Sequence, residues 1–258
     1  MFNFFVAAFT FSALYILLLF SVSAGRRFAQ WQAKRHSLGN LETITVIEGA
    51  VFGLLGLMIA FTFTGAYERF ELRKTHIIEE ANVVETAYLR LDMLTPSATV
   101  DLRNNFRQYI DTRLSVYKNI PDFNAVYRAL EKSEQLQHKI WNQVLAACKI
   151  TNQQVATEMV VPAINKLFDM ENEGIAITKI HPPIVIFVLL IGLTMLSAFL
   201  AGYSAVEKHA RSSIYILIYV AMMAFIIYLI MDIEFPRVGL VRVDAFDNVL
   251  MDVRQRLN

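Results

Sequence analysis

The sequence predicts an all-α integral membrane protein with four transmembrane helices and a soluble helical insert between spans 2 and 3. The second span continues out of the bilayer as a long amphipathic helix. Three observations predict this. Four windows are long and apolar enough for a hydrocarbon core that takes about 20 apolar residues to cross: Phe2 to Val22, Ile44 to Tyr67, Pro183 to Tyr203 and Ser213 to Met231. Hydrophobic residues make up 55% of the 258, and the mean hydropathy of +0.42 is too high for an ordinary soluble domain. Beyond the second window, apolar residues recur at Phe70, Ile77, Ala81, Val84, Tyr88 and Leu91. Their steps of seven, four, three, four and three mark one face of a helix, and no proline interrupts the chain from Ile44 to Thr95.

Residues 1–67 comprise the first two spans and a basic connecting loop. Val22-Ser23-Ala24 resembles a signal-cleavage site, but no Lys or Arg precedes the apolar run and the run exceeds a usual signal core. It therefore reads as a true span. Residues 68–181 form the soluble insert, with 15 acidic and 14 basic side chains. Nucleic acid as a partner is set aside, because such a surface carries a basic excess. Thr95 is the expected N-cap of a helix opening at Pro96, with Leu102, Phe106, Tyr109, Ile110, Leu114 and Tyr117 on its apolar face. A break at Asn119 to Asp122 precedes a helix over Phe123 to Ile150, lined by Val126, Leu130, Ile140, Val144 and Leu145. A last helix runs from Thr151 to about Met170, with a bend expected at Pro162. His181-Pro182-Pro183 makes a rigid entry to the third span. Residues 182–233 hold spans 3 and 4, and residues 234–258 form a C-terminal tail.

The short loop after the first span carries Arg26, Arg27, Lys34 and Arg35 against Glu42, and the loop after the third carries Glu207, Lys208 and Arg211. Basic short loops favour the cytoplasm. This places both short loops inside and the termini and the insert outside, so the multi-pass chain is expected to have an extracytoplasmic insert, although Arg69, Arg73 and Lys74 argue the other way. The single cysteine, Cys148, excludes an internal disulfide and any multi-cysteine zinc site.

The run IEGAVFGLLGLMIAFTF from Ile47, followed by Arg69-Phe70 and then EEANVVETAYLRLD, resembles the bacterial bestrophin-like membrane domain family of unknown function. Gly202-Tyr203 and the segment from Asp232 to Leu240 add to the resemblance, which covers most of the chain. It implies four spans with a helical insert, in a bacterial inner membrane. Through the family name it implies a remote likeness to bestrophin ion channels, which are homo-oligomers whose second span lines the pore.

The second span has residues that suit such a role. Gly49, Gly53, Gly56 and Ala60 lie on one side, where small residues allow close helix packing. About 100° away lie the pore-lining candidates Glu48, Phe52, Leu55, Ile59 and Thr62. Repeated by symmetry, Glu48 would make a carboxylate ring and Phe52 with Leu55 an apolar constriction, both standard means of selecting and gating cations. The plainer reading has Glu48 at the membrane interface or capping the helix start. Asp169, Glu171, Glu173, Asp232 and Glu234 are vestibule candidates that could concentrate cations.

His76 with Glu79 and Glu80, and Glu134 with His138, have metal-site spacing, yet read better as solvated faces, so no metal and no cofactor is expected. Glu80, Asn82, Glu85 and Thr86 flank the amphipathic stripe and are placed to hydrogen-bond between helices or subunits. HExxH, GxSxG, Walker and dinucleotide motifs are absent, so no catalytic residue is assigned and the protein reads as no enzyme. Two functions remain: a homo-oligomeric channel with a weak lean to cations, whose partners are its own copies, the lipid bilayer and inorganic ions, or a non-conducting envelope scaffold or sensing protein. No internal inverted repeat favours a transporter.

Overall fold

A computed structural model of the protein describes residues 2–35, 41–118, 122–151, 154–207, 213–237 and 239–257. The described elements are α1 (Phe2–Arg35), α2 (Leu41–Arg90), a 3-10 turn at Leu91–Met93, α3 (Pro96–Lys118), α4 (Phe123–Thr151), α5 (Gln154–Lys179), α6 (Ile184–Glu207), α7 (Ser213–Glu234) and α8 (Asp244–Arg256). No strand occurs among the described residues, and four helices are long and apolar enough to span. α2 has 50 residues, about 75 Å at 1.5 Å per residue. The chain divides into two units, residues 1–69 with 181–241 and residues 70–180 with 242–258.

The membrane unit is built on α1, α6 and α7, whose shared core includes Leu18, Val22, Ala198, Val220 and Ala224. α1 and α6 cross with their backbones in contact. A Cβ at Gly25 would overlap the Phe199 carbonyl, and one at Gly202 the Val22 carbonyl, so glycine is the residue both positions require. Polar side chains inside this unit are satisfied locally: Ser21 Oγ donates to the Met195 carbonyl at 2.6 Å and the Tyr219 hydroxyl to Ser197 Oγ at 2.7 Å. α1 does not stop at Val22. It runs on to Arg35, so Arg26, Arg27, Lys34 and Arg35, expected in a loop, are helical. Residues 36–40, Lys208 and Arg211 lie outside the described residues.

In the second unit the predicted stripe is covered. Ile77, Ala81, Val84, Tyr88 and Leu91 are all buried, and the last four share a core with Leu102, Phe106, Ile140, Val144, Ile164 and Leu167. Each large side chain removed from water there contributes about 1.5–3 kcal/mol. α3 begins at Pro96 as the sequence suggests, but the Thr95 side chain does not cap it. The Thr95 carbonyl accepts the amides of Ala98 and Thr99 at 3.1 and 3.2 Å, while its Oγ1 is buried without a partner. Asp122 caps α4, accepting the Ala125 amide at 3.1 Å; residues 119–121 of the expected break lie outside the described residues. α5 continues through Pro162 and past Met170 to Lys179. The tail is no separate segment either. Residues 242–258 belong to this unit, and Leu250, Val253 and Leu257 of α8 enter its core. The Leu257 carbonyl accepts both the Tyr88 hydroxyl, at 2.9 Å, and Arg107 Nε, at 2.8 Å.

Candidate functional site: the two faces of the second helix

Within the membrane unit, α2 has one face against its own chain and one that is bare. Leu55 and Thr62 are buried, and Glu48, Phe52 and Ile59 are half-buried. Glu48 accepts a hydrogen bond from Ser204 Oγ at 2.9 Å. The Phe52 ring meets Tyr219 edge-on at 5.9 Å. Thr62 Oγ1 turns back onto the Met58 carbonyl at 2.7 Å. Between the helices a groove of about 490 Å³ is lined by Phe52, Leu55, Gly56 and Ile59 of α2 and by Tyr215, Tyr219 and Met223 of α7. Thus four of the five residues placed by sequence on a lumen face, Glu48, Phe52, Leu55 and Ile59, lie toward α6 and α7 of the same chain, and Thr62 is buried with its hydroxyl on its own helix.

The rest of this span is open, from the glycine line about 100° away, where Gly56 also edges the groove, round to the far side. A Cβ built at Gly49, Gly53 or Gly56 would meet nothing within 4 Å, and Ala60 is exposed. Leu57 and Phe61, 52% and 67% exposed, stand beside the glycines, with exposed Thr64 and Glu68 following at helical spacing. In the most apolar window of this helix only 6% of residues are buried, against 22 to 28% in the other three spans.

The five vestibule candidates separate into two kinds. Asp169 and Glu173 are exposed; they carry only an Asn165 hydrogen bond at 3.2 Å and a Lys166 pair at 3.3 Å. Glu171, Asp232 and Glu234 are buried within the chain. Glu234 is gripped by Arg69 through Nε at 2.9 Å and Nη2 at 2.7 Å, and contacts His181 Nδ1 at 2.7 Å. The His181 ring in turn lies 4.8 Å from Phe235. Asp232 accepts the Leu240 amide at 3.0 Å and the Val241 amide at 2.8 Å, and a Cβ on Gly239 would overlap its carboxylate. Asp232, at the end of α7, therefore ties down the chain at Leu240 and Val241, which explains the Asp and the Gly at positions 232 and 239.

Glu171 belongs to a buried network of the second unit. It accepts from the Tyr109 hydroxyl at 2.8 Å, Ser133 Oγ at 2.9 Å and Gln137 Nε2 at 2.6 Å, and faces Arg113 Nη1 at 3.4 Å. Arg113 also pairs with Glu80 at 2.8 Å, and the Tyr117 hydroxyl donates to Glu80 at 2.7 Å. Burial, with the Glu171 carboxylate alongside, pushes the Tyr109 phenol well above its ordinary range. Burial works against charge on Arg113, but the Glu80 carboxylate and then its other partners outweigh it and hold the guanidinium protonated. The inter-helix role expected of Glu80 is met here, and Glu85 pairs with Arg256 at 3.3 Å, whereas Asn82 and Thr86 are exposed.

His76 departs from the solvated-face reading: it is buried, and its Nε2, close against Gly174, has no hydrogen-bond partner. Glu79, Glu134 and His138 are exposed. No group of three metal-ligating side chains forms among the described residues. Of the residues that meet these acids, sequence reasoning passed over Arg113, and it used Arg69 and His181 without pairing either with Glu234. The available signal was that each buried acid required a cation or a donor somewhere in the chain.

A family model described as Bestrophin-like domain matches residues 7–245. Among solved structures the chain is similar to a bacterial bestrophin homologue from Klebsiella pneumoniae. One crystal structure of a point variant of that homologue gives a TM-score of 0.71 at 10% identity, over 97% of this chain and 98% of the other. A second variant gives 0.69 at 11% identity, with 97% and 98% covered. At such identities the likeness is one of fold. Among curated proteins none matches at a significant level. The match over nearly its whole length places the chain in the bestrophin-like domain family.

Proposed function

We propose that the protein is the repeating subunit of a homo-oligomeric ion channel, bestrophin-like in architecture, in which α2 lines the pathway. The observation that carries this reading is the bare side of α2. A helix that crosses the bilayer with three glycines and an alanine on a line its own chain leaves uncovered is built for close approach by another copy. Because Leu55 and Thr62 are occupied within the chain, we assign the lumen to the uncovered side, with Leu57 and Phe61 as the apolar constriction. Glu48, Phe52 and Ile59 then support that side from behind. The lean to cations rests on Glu68, an exposed carboxylate following Thr64 by one turn, and on exposed Asp169 and Glu173 of the second unit. Catalysis has no place in this reading.

The test is conductance of the purified protein in planar bilayers against empty-bilayer controls. Leu57→Ala and Phe61→Ala raise unitary conductance or leak, whereas Phe52→Ala leaves the conducting path unchanged in width. Wild type that stays a well-folded oligomer and never conducts across voltage, pH and calcium would favour the scaffold. We place the helical insert outside the cytoplasm, on the basic residues that follow spans 1 and 3, and the protein in a bacterial inner membrane, on its likeness to bacterial bestrophin homologues. Impermeant thiol labelling of Tyr127→Cys in intact cells, in a Cys148→Ala background, checks this. Labelling only after lysis reverses the orientation.

A further inference from the structure

The last turns of α1 carry an aromatic shelf with a rim of positive charge. Ten residues of helix follow Gly25, starting one turn beyond the apolar run that ends at Val22. They hold Arg26, Arg27, Lys34 and Arg35, of which the last three are exposed. From Met1 to Leu41 there is no acidic residue. Glu48, at the start of the next span, is engaged by Ser204. Phe28 and Trp31, 47% and 50% exposed, stand among these cations. Their rings are 5.7 Å apart, Phe28 also leans on Phe199 and Tyr203, and the Arg35 guanidinium lies 4.7 Å over the Trp31 ring. The Tyr203 hydroxyl donates to Gln32 at 3.0 Å and holds this helix end in place. Spacing of four, seven and eight residues brings Arg27, Trp31, Lys34 and Arg35 to one side.

We propose that this face binds acidic phospholipids of the surrounding bilayer, with the headgroup phosphate among Arg27, Lys34 and Arg35 and the glycerol and upper chains against Phe28 and Trp31. Four cations against the single acid Glu42 in the same connecting segment leave a positive excess that calls for anionic company, which the charges alone would find in any soluble phosphate. Two half-exposed aromatic rings fixed among those charges fit a ligand that is anionic at one end and apolar at the other. Trp at a helix exit sits at headgroup level, and basic residues there attract acidic lipids. The compensation of a helix dipole accounts for Lys34 and Arg35, in the last turn, but not for Arg26 and Arg27 two turns earlier.

Trp31 is its own reporter, since the chain has only one other tryptophan, Trp141. Trp141→Phe protein is reconstituted in phosphatidylcholine vesicles containing a small fraction of chain-brominated phosphatidylglycerol or, in a parallel set, chain-brominated phosphatidylcholine. If Trp141→Phe does not fold, the signal is taken as wild type minus Trp31→Phe. The expected result is about threefold stronger quenching by the acidic lipid, falling toward equality at about 0.5 M salt. The triple variant Arg27→Gln, Lys34→Gln, Arg35→Gln, whose melting temperature should match the parent, loses the preference. Equal quenching by both lipids at low salt, or a preference that survives the triple substitution, overturns the proposal. So does its abolition by millimolar glycerol phosphate in solution, which would reassign the face to free anions.

Discussion

The two halves of α2 belong to one unbroken helix and are treated in opposite ways. The half beyond the membrane buries Ile77, Ala81, Val84, Ala87 and Tyr88 and exposes Thr75, Glu79, Asn82 and Thr86 together with Leu72, Ile78 and Leu89. The membrane half buries little, and what it exposes is Leu57, Phe61 and a line of glycines. Water punishes an uncovered apolar stripe, so the outer half had to find its core within the chain. Lipid tails do not, so an exposed Leu in the membrane half carries no information about partners. Glycine does, because it has nothing to offer a lipid tail and much to offer an approaching helix. The difference teaches that coverage is an argument in the outer half, and that side-chain size is the argument in the inner one.

The largest expected effect tests the outer half. Arg113→Ala leaves Glu80 and Glu171 buried without their cation and should destabilise the protein by about 3–5 kcal/mol. Chemical denaturation in mild detergent, followed by the fluorescence of Trp141, reads this directly. An effect within about 0.5 kcal/mol would mean that the network is hydrated rather than a closed core.

Next comes a pair of identical substitutions with opposite consequences. Gly202→Ala forces a methyl into the Val22 carbonyl and should cost about 1–3 kcal/mol of monomer stability. Gly53→Ala meets nothing in its own chain and should leave monomer stability within about 0.5 kcal/mol while weakening assembly. Thermal melting and mass measurement in mild detergent separate the two. Equal behaviour of the two variants would break the distinction between covered and uncovered glycines.

Ion selectivity sharpens the same contrast. Glu68→Gln on the open side should lower the cation-to-anion permeability ratio by about twofold to fivefold, within the reach of one charge per subunit near a pore. Glu48→Gln, with its carboxylate bonded to Ser204, should change the ratio less than Glu68→Gln. Reversal potentials under asymmetric salt give both numbers, and the reverse order would return the lumen to the Glu48 face. The smallest effect belongs to the double variant Asp169→Asn, Glu173→Gln. It should alter conductance by less than about twofold, and only at low salt, because exposed charges are screened.

Much of the architecture was legible from local sequence. Apolar runs located the four spans, and the three-four stepping from Ile77 to Leu91 identified a stripe that is indeed buried. What local sequence did not carry was whatever depended on a distant partner. Glu234 could not be seen as buried because its partner Arg69 lies 165 residues away, and Glu171 meets Tyr109 across 62. The faces of α2 in the membrane were illegible for a different reason. In lipid both sides of a helix tolerate apolar residues, so periodicity does not say which side its own chain covers. The omission of α8 was avoidable: Phe246, Leu250, Val253 and Leu257 step by four, three and four, a helical signature hidden only by the brevity of the segment.

The placement of glycine along α2 also sets its elasticity. Gly49, Gly53, Gly56 and Gly65 all precede Ala66, and from there to Arg90 the helix contains neither glycine nor proline. Thr62, whose hydroxyl shares the Met58 and Ile59 carbonyls with the backbone ladder, adds a soft point among them. Stiffness is therefore graded along a single rod. The glycine-bearing portion is the spring and the portion beyond it the shaft, so bending strain introduced into this helix collects within the apolar span.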